Sequence, residues 1–103
     1  MTTVRVKDGV QPRLVTLVSG LANAAQRAEI PEVWITAGMD GTHSPNSLHY
    51  ALRAIDVRTH NLTPAQVAKL LAELGTEFSG NADVIWEGRG TPNEHVHVEW
   101  DPA

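Results

Sequence analysis

The chain has 103 residues, of which 42% are hydrophobic and 19% charged, and a formal net charge of −4. This length and ordinary composition predict one globular domain, residues 1–103, with a modest core. The absence of cysteine excludes disulfides and thiolate metal sites, the acidic balance argues against a nucleic-acid partner, and no apolar run reaches the roughly 18 residues that span a membrane.

The first half of the chain predicts a helix followed by two strands. Residues 12–29 place apolar side chains at helical spacing. The segment "EVWITAG" (32–38) is rich in β-branched and aromatic residues and predicts a buried strand. Residues 39–47, "MDGTHSPNS", have the composition of a loop, and "RAIDVR" (53–58) predicts the second strand.

The second half predicts a helix and a terminal hairpin. Thr63 and Gln66 form a capping-box pattern around a first-turn proline, and Gly75 is expected to end that helix. Residues 83–87 and 94–100 predict two strands joined by the polar segment "GRGTPN". The order of elements indicates an α+β domain, in which a small, mainly antiparallel sheet packs with two helices.

Histidine and aspartate in these strands are candidate metal ligands. In "EHVHVEW" the side chains alternate, so that His95 and His97 share one face while the valines face the core. An aspartate inside a strand, such as Asp56, needs a partner, either Arg53 or Arg58 or a metal ion. Two histidines and one carboxylate leave the fourth position open that catalytic zinc keeps for water.

Two motifs resemble those of a peptidase family. The segment "SLHYALRAID" (47–56) resembles the Ser-x-His-x-x-Gly-x-Ala-x-Asp signature of the zinc D-Ala-D-Ala carboxypeptidases and L,D-endopeptidases, and "HVHVE" (95–99) resembles their closing histidine pair. That family includes phage endolysins and shares its fold with the hedgehog signalling domain. The resemblance covers most of the chain and implies a hedgehog/DD-peptidase-like fold with zinc bound by His49, Asp56 and His97.

The resemblance also implies roles around the metal. His95 would polarise the scissile carbonyl or stabilise the oxyanion. Ser47 and Tyr50 are candidate substrate-binding residues. The family carries an arginine in a "SGYRS"-like segment before the first ligand, whereas this chain has "TAGMDGTHS", in which His43 is the candidate replacement; Leu52 stands where the family has glycine.

The general base of such a peptidase is a carboxylate near the metal, and two glutamates qualify. Glu94 lies three residues before His97, a spacing that some members use. Strand alternation favours Glu87 instead, because a regular hairpin would place Glu87 on the face of the two histidines and turn Glu94 away from it. Glu99, on the histidine face, is a candidate to orient a ligand histidine.

The candidate ligands predict a zinc site, and the resemblance implies a zinc metallopeptidase of the D-Ala-D-Ala carboxypeptidase or L-Ala-D-Glu endopeptidase type, with peptidoglycan stem peptides as substrate. The N-terminus lacks the apolar segment of a secretory signal, so we expect a phage or prophage product, made in the cytoplasm and released at lysis or carried in a virion. The alternatives are a non-catalytic zinc-binding domain with a structural or recognition role in a phage particle and a metal-free phage structural protein.

Overall fold

The computed structural model describes residues 2–7, 15–41 and 52–100, which form five strands and two helices. In chain order these are β1 (Thr3–Val6), α1 (Val15–Arg27), β2 (Glu32–Gly41), β3 (Leu52–Arg58), α2 (Pro64–Phe78), β4 (Ala82–Glu87) and β5 (His95–Trp100). No helix within these ranges is both long and apolar enough to cross a membrane.

The five strands form one mixed sheet in the order β1-β2-β3-β5-β4. β1 pairs with β2 in parallel, and the other three pairs are antiparallel. β5, the last strand in the sequence, therefore lies between β3 and β4. The predicted α+β class, with a mainly antiparallel sheet and two helices, is confirmed.

Two features of the strands differ from the sequence-based expectation. β1 was not predicted, because Val4 and Val6 alternate with polar residues over only four positions, too short a segment for the pattern to indicate a strand. β2 continues to Gly41, through residues predicted as loop. Met39 and Asp40 pair with Ala54 and Arg53 of β3, so the ladder between the strands overrides the turn composition of "MDG". The β2–β3 register shifts between Ile35 and Ala37, next to the candidate site.

The capping box of α2 is present as predicted. The Thr63 hydroxyl accepts from the Gln66 backbone N–H at 3.1 Å, and the Gln66 side chain accepts from the Thr63 N–H at 2.8 Å. Gly75 does not end the helix, which continues to Phe78. The extra turn buries the Phe78 ring against Trp100 in an edge-to-face contact with centroids 6.0 Å apart, and this apolar burial outweighs the low helix propensity of glycine.

Helix α1 ends without the glycine that usually follows a helix. Glu29 takes the left-handed conformation at φ 59°, while the backbone N–H of Ile30 donates to the Ala25 carbonyl at 3.0 Å. The Ile30 side chain is buried in the core. Burial of this residue therefore fixes a backbone geometry that a non-glycine residue adopts at a cost of about 1–2 kcal/mol.

Both helices pack on one face of the sheet. The core contains apolar side chains from α1, α2 and the inward positions of β2, β3 and β5, among them Leu17, Leu21, Val33, Ile35, Ile55, Val57, Leu70, Leu74, Val96 and Val98. The helices approach so closely that a Cβ at Gly20 would overlap the Phe78 ring. In the described ranges the opposite face of the sheet is covered by no helix, and we call it the open face.

Candidate metal centre

The open face presents polar side chains in rows that cross β3, β5 and β4. Because neighbouring strands lie about 4.8 Å apart, residues paired in register stand side by side on one face. One row contains Arg58, His95 and Glu87. The next row, about 7 Å along the strands, contains Asp56, His97 and Ile85.

Asp56 and His97, both predicted zinc ligands, form the centre of the site. His97 Nδ1 donates to Asp56 Oδ1 at 2.7 Å, and both side chains are half-buried. On the other side of the ring, His97 Nε2 lies 3.5 Å from Glu99 Oε1. Glu99 therefore has the position predicted for a group that orients a ligand histidine.

His95, for which the resemblance implies a catalytic role beside the metal and not that of a ligand, offers a nitrogen to the same centre. Its Nδ1 donates to the carbonyl oxygen of Asn93 at 2.7 Å, which leaves the lone pair of the neutral ring on Nε2. That Nε2 atom lies 3.8 Å from Asp56 Oδ1 and 3.9 Å from Glu87 Oε2. A metal-binding histidine usually donates its other ring N–H to a carboxylate or a backbone carbonyl, as the His95 Nδ1 does to Asn93.

The surroundings of His97 raise its pKa above the ordinary value. Partial burial, the largest single effect, lowers the pKa of the imidazole. The hydrogen bonds to Asp56 and Glu99, with the negative charges of Asp56 and Glu87, together outweigh that effect and raise the pKa. The site therefore attracts positive charge, whether a proton or a metal cation.

The two candidate bases differ in environment. Glu87 pairs with His95 in register, which confirms its predicted place on the histidine face. The Glu94 carboxylate accepts hydrogen bonds from the Thr59 hydroxyl at 2.8 Å and the Trp86 indole N–H at 2.9 Å. The Thr59 bond chiefly lowers the pKa of Glu94, against the opposing effect of burial. Glu94 thus links the hairpin to Thr59 through hydrogen bonds. The role of Glu87 as general base stays a prediction.

Several predicted site residues lie outside the described residues: the ligand His49 and the substrate-binding candidates His43, Ser47 and Tyr50. Their roles stay predictions. The structure adds two residues that the sequence analysis did not assign to the site. Asn93 orients His95, and Arg58 lines a cavity beside Asp56. The sequence could have placed Arg58 near the site, because Arg58 lies two residues after Asp56 and therefore projects from the same face of the strand.

The donor set fits a metal ion. Asp56, His95 and His97 each offer one ligand atom, and these atoms all lie within 4.8 Å of one another. Bonds of about 2.0–2.2 Å place two ligand atoms of a tetrahedral zinc ion about 3.3 Å apart, so side-chain shifts on the order of 1 Å would close the set around an ion. The group can therefore hold a metal.

No protein family, curated protein sequence or solved structure matches the chain.

Proposed function

We propose that the chain is a zinc-dependent peptidase that cleaves peptidoglycan stem peptides on a hedgehog/DD-peptidase-like fold. The observation that carries the proposal is the convergence of Asp56, His95 and His97 on the open face, with ligand atoms within 4.8 Å and Glu87 beside them. Two nitrogens and one oxygen form a donor set that suits catalytic zinc. The two sequence motifs, which resemble those of wall peptidases, indicate the substrate class.

Each protein group has a defined task in this proposal. Bound zinc would supply a Lewis acid that polarises the scissile carbonyl and lowers the pKa of water. The Asn93 carbonyl holds His95 with Nε2 toward the centre. If His97 held the metal through Nδ1, its Nε2–H could donate to Glu99, which would keep the ring in one tautomer.

Glu87 is the proposed general base. Its side chain is 45% exposed, and its Oε2 lies 3.9 Å from His95 Nε2. A carboxylate in this position can take a proton from the attacking water and deliver it to the leaving amine nitrogen. Glu94 is less suited to this task, because its two oxygens are occupied by Thr59 and Trp86.

The proposed biological setting rests on the resemblance. The resembled family includes phage endolysins, so we propose a phage or prophage enzyme that reaches peptidoglycan by release at lysis or inside a virion. His43, Ser47 and Tyr50, from the segment before and within the first motif, complete the proposed substrate contacts. The same metal-binding group would also suit a non-catalytic zinc-binding domain. Only a measurement of substrate turnover distinguishes that domain from a peptidase.

The test compares two isosteric variants in one assay. Zinc content of the purified protein and release of new amino groups from peptidoglycan stem peptides are measured for wild type, Glu87→Gln and Glu94→Gln. We expect about one zinc per chain in all three, and a rate lower by a factor of about 10²–10⁴ in Glu87→Gln alone. Zinc without turnover in wild type would support the non-catalytic domain, and an inactive Glu94→Gln with an active Glu87→Gln would exchange the two roles.

A further inference from the structure

A second cavity, of about 490 Å³, lies on the helix side of the sheet, and none of its lining residues belongs to the candidate metal group. Uncharged amide and hydroxyl side chains make up half of the lining: Ser19, Asn23, Ser79 and Asn81. One glycine, two aromatic residues and one carboxylate complete it: Gly20, Phe78, Trp100 and Glu77. The volume is within the range of about 300–1,000 Å³ that is typical of ligand pockets.

Trp100 provides the aromatic surface of this cavity. Along β5 its side chain projects to the same face as Val98 and away from the face of His97. The Phe78 ring meets the indole edge to face, with ring centroids 6.0 Å apart, and this contact holds the indole in place. Phe78 is only 6% exposed, whereas Trp100 is partly buried, so the indole is the aromatic group that a ligand can cover.

The polar wall comes from α1 and from the turn that follows α2. Ser19 and Asn23 are four residues apart in α1, so they project from the same face of that helix. The turn has a defined backbone, because Ser79 is left-handed at φ 50° and the Asn81 N–H donates to the Phe78 carbonyl at 2.8 Å. All four polar side chains are exposed. Their hydroxyl and amide groups can both donate and accept hydrogen bonds.

The cavity offers an ionised ligand no free charge of opposite sign. The Glu77 carboxylate already accepts from the Arg27 guanidinium at 2.8 Å and from the Asn23 amide at 3.4 Å. No lysine or arginine is present among the described residues of the lining. An anion would therefore lack a cationic partner, and a cation would compete with Arg27 for Glu77. The lining favours an uncharged ligand that has hydroxyl groups and an apolar face.

We propose that this cavity binds an uncharged pyranose sugar. The C–H face of the ring covers the Trp100 indole, and the ring hydroxyls bond the amides of Asn23 and Asn81. A pyranose combines these two properties, since its hydroxyl groups project around a ring whose faces carry only C–H groups. The cavity and the metal group are on opposite faces of the sheet, so this binding site goes beyond the proposed peptidase and requires no metal ion.

The experiment is an NMR titration of metal-free, ¹⁵N-labelled protein with glucose, galactose, mannose and N-acetylglucosamine. The chain has three tryptophans, and Trp100→Phe identifies the indole N–H signal of Trp100. We expect at least one of these sugars to shift that signal, while the signals of Trp34 and Trp86, which lie outside the cavity, stay in place. No shift of the Trp100 signal with any of the four sugars in excess would overturn the proposal.

Matched amide variants test the polar wall. Asn23→Ala and Asn81→Ala should each weaken sugar binding by a factor of about 3–10, the effect of one lost hydrogen bond. Gln26→Ala removes an exposed amide of α1 that lies outside the cavity, and it should bind the sugar as wild type does. Equal binding by all three variants would contradict the assigned site.

Charged analogues test the class of ligand. Glucosamine replaces one hydroxyl of glucose by an ammonium group, and glucuronate carries a carboxylate; both should bind more weakly than the uncharged sugars. Tighter binding of glucosamine would overturn the proposal in favour of a site for amines. Because no metal is present in the titration, a chain that takes up no zinc would refute the peptidase and still decide the sugar site.

Discussion

Zinc should stabilise the folded chain strongly, because the ligand atoms of Asp56, His95 and His97 meet only when β3 and β5 pair. A ligand that binds the native state alone adds about 2.7 kcal/mol to the free energy of unfolding at 100 times its dissociation constant. In a chain of this length, 1 kcal/mol shifts the unfolding temperature by about 4–8 °C, so the shift should be on the order of 10–20 °C.

The size of this shift should depend on pH through the hydrogen bond between Asp56 and His97. A metal at Nδ1 must displace the proton that this nitrogen donates to Asp56. Since the raised pKa of His97 keeps the ring protonated to higher pH, the proton competes with zinc over a wider range. Below that pKa the apparent zinc affinity should rise at least tenfold per pH unit, because each histidine of the group must lose its proton to bind the ion, and at higher pH the affinity should level off.

The measurement is thermal unfolding of metal-free protein with and without zinc, followed by circular dichroism at several pH values. His95→Ala should lose most of the shift. His60→Ala is the matched control, because His60 bonds the Pro92 carbonyl at 3.2 Å and lies outside the metal group. A full shift in His95→Ala would refute the three-residue group and favour His49 as the ligand. No shift in wild type would refute zinc binding altogether.

Three further predictions concern stability and are read from denaturant unfolding. Gly75→Ala should stabilise the chain by about 0.5–1 kcal/mol, because alanine has the higher helix propensity and nothing lies within 4 Å of the added methyl group. Gly20→Ala should destabilise the chain, because the new Cβ overlaps the buried Phe78 ring. Equal effects of the two substitutions would contradict the close packing of the helices at Gly20. Glu29→Gly should stabilise the chain by up to about 1 kcal/mol by relieving the left-handed backbone, and a loss would show that the Glu29 side chain contributes more than strain costs. The pKa of Glu94 is lowered from 4.5, so its contribution to stability is complete above that pH and is lost as the pH falls through the folded value. The free energy of unfolding should therefore fall less between neutral and acidic pH in Glu94→Gln than in wild type. An equal fall in both proteins would contradict the stabilising role of the Glu94 carboxylate.

Residues whose environment depends on local periodicity could be predicted from the sequence. In β5 the valines face the core and His95 and His97 face outward because strand alternation has a period of two. The same alternation placed Glu87 on the histidine face. The capping box of α2 is equally local, since Thr63 and Gln66 satisfy each other within one turn.

Features that depend on distant partners could not be predicted in this way. Asp56 and His97 are 41 positions apart, and their contact requires the strand order, which no local pattern determines. The position of the Glu94 carboxylate depends on Thr59, a residue 35 positions away. β1 has an alternation of only two valines, and parallel pairing with β2 completes it as a strand.

The insertion of β5 between β3 and β4 has a consequence for how the molecule assembles. Within the described sheet β4 pairs with β5 alone, so β4 has no hydrogen-bonded neighbour until the final strand is in place. The β4–β5 hairpin is local, whereas the pairing of β5 with β3 joins residues as distant as Asp56 and His97, 41 positions apart, and forms slowly because a long loop must close first. Both histidines of the candidate centre are on β5. Metal affinity should therefore emerge only at the last step of folding, which makes the ion a reporter of complete folding rather than a nucleus for it.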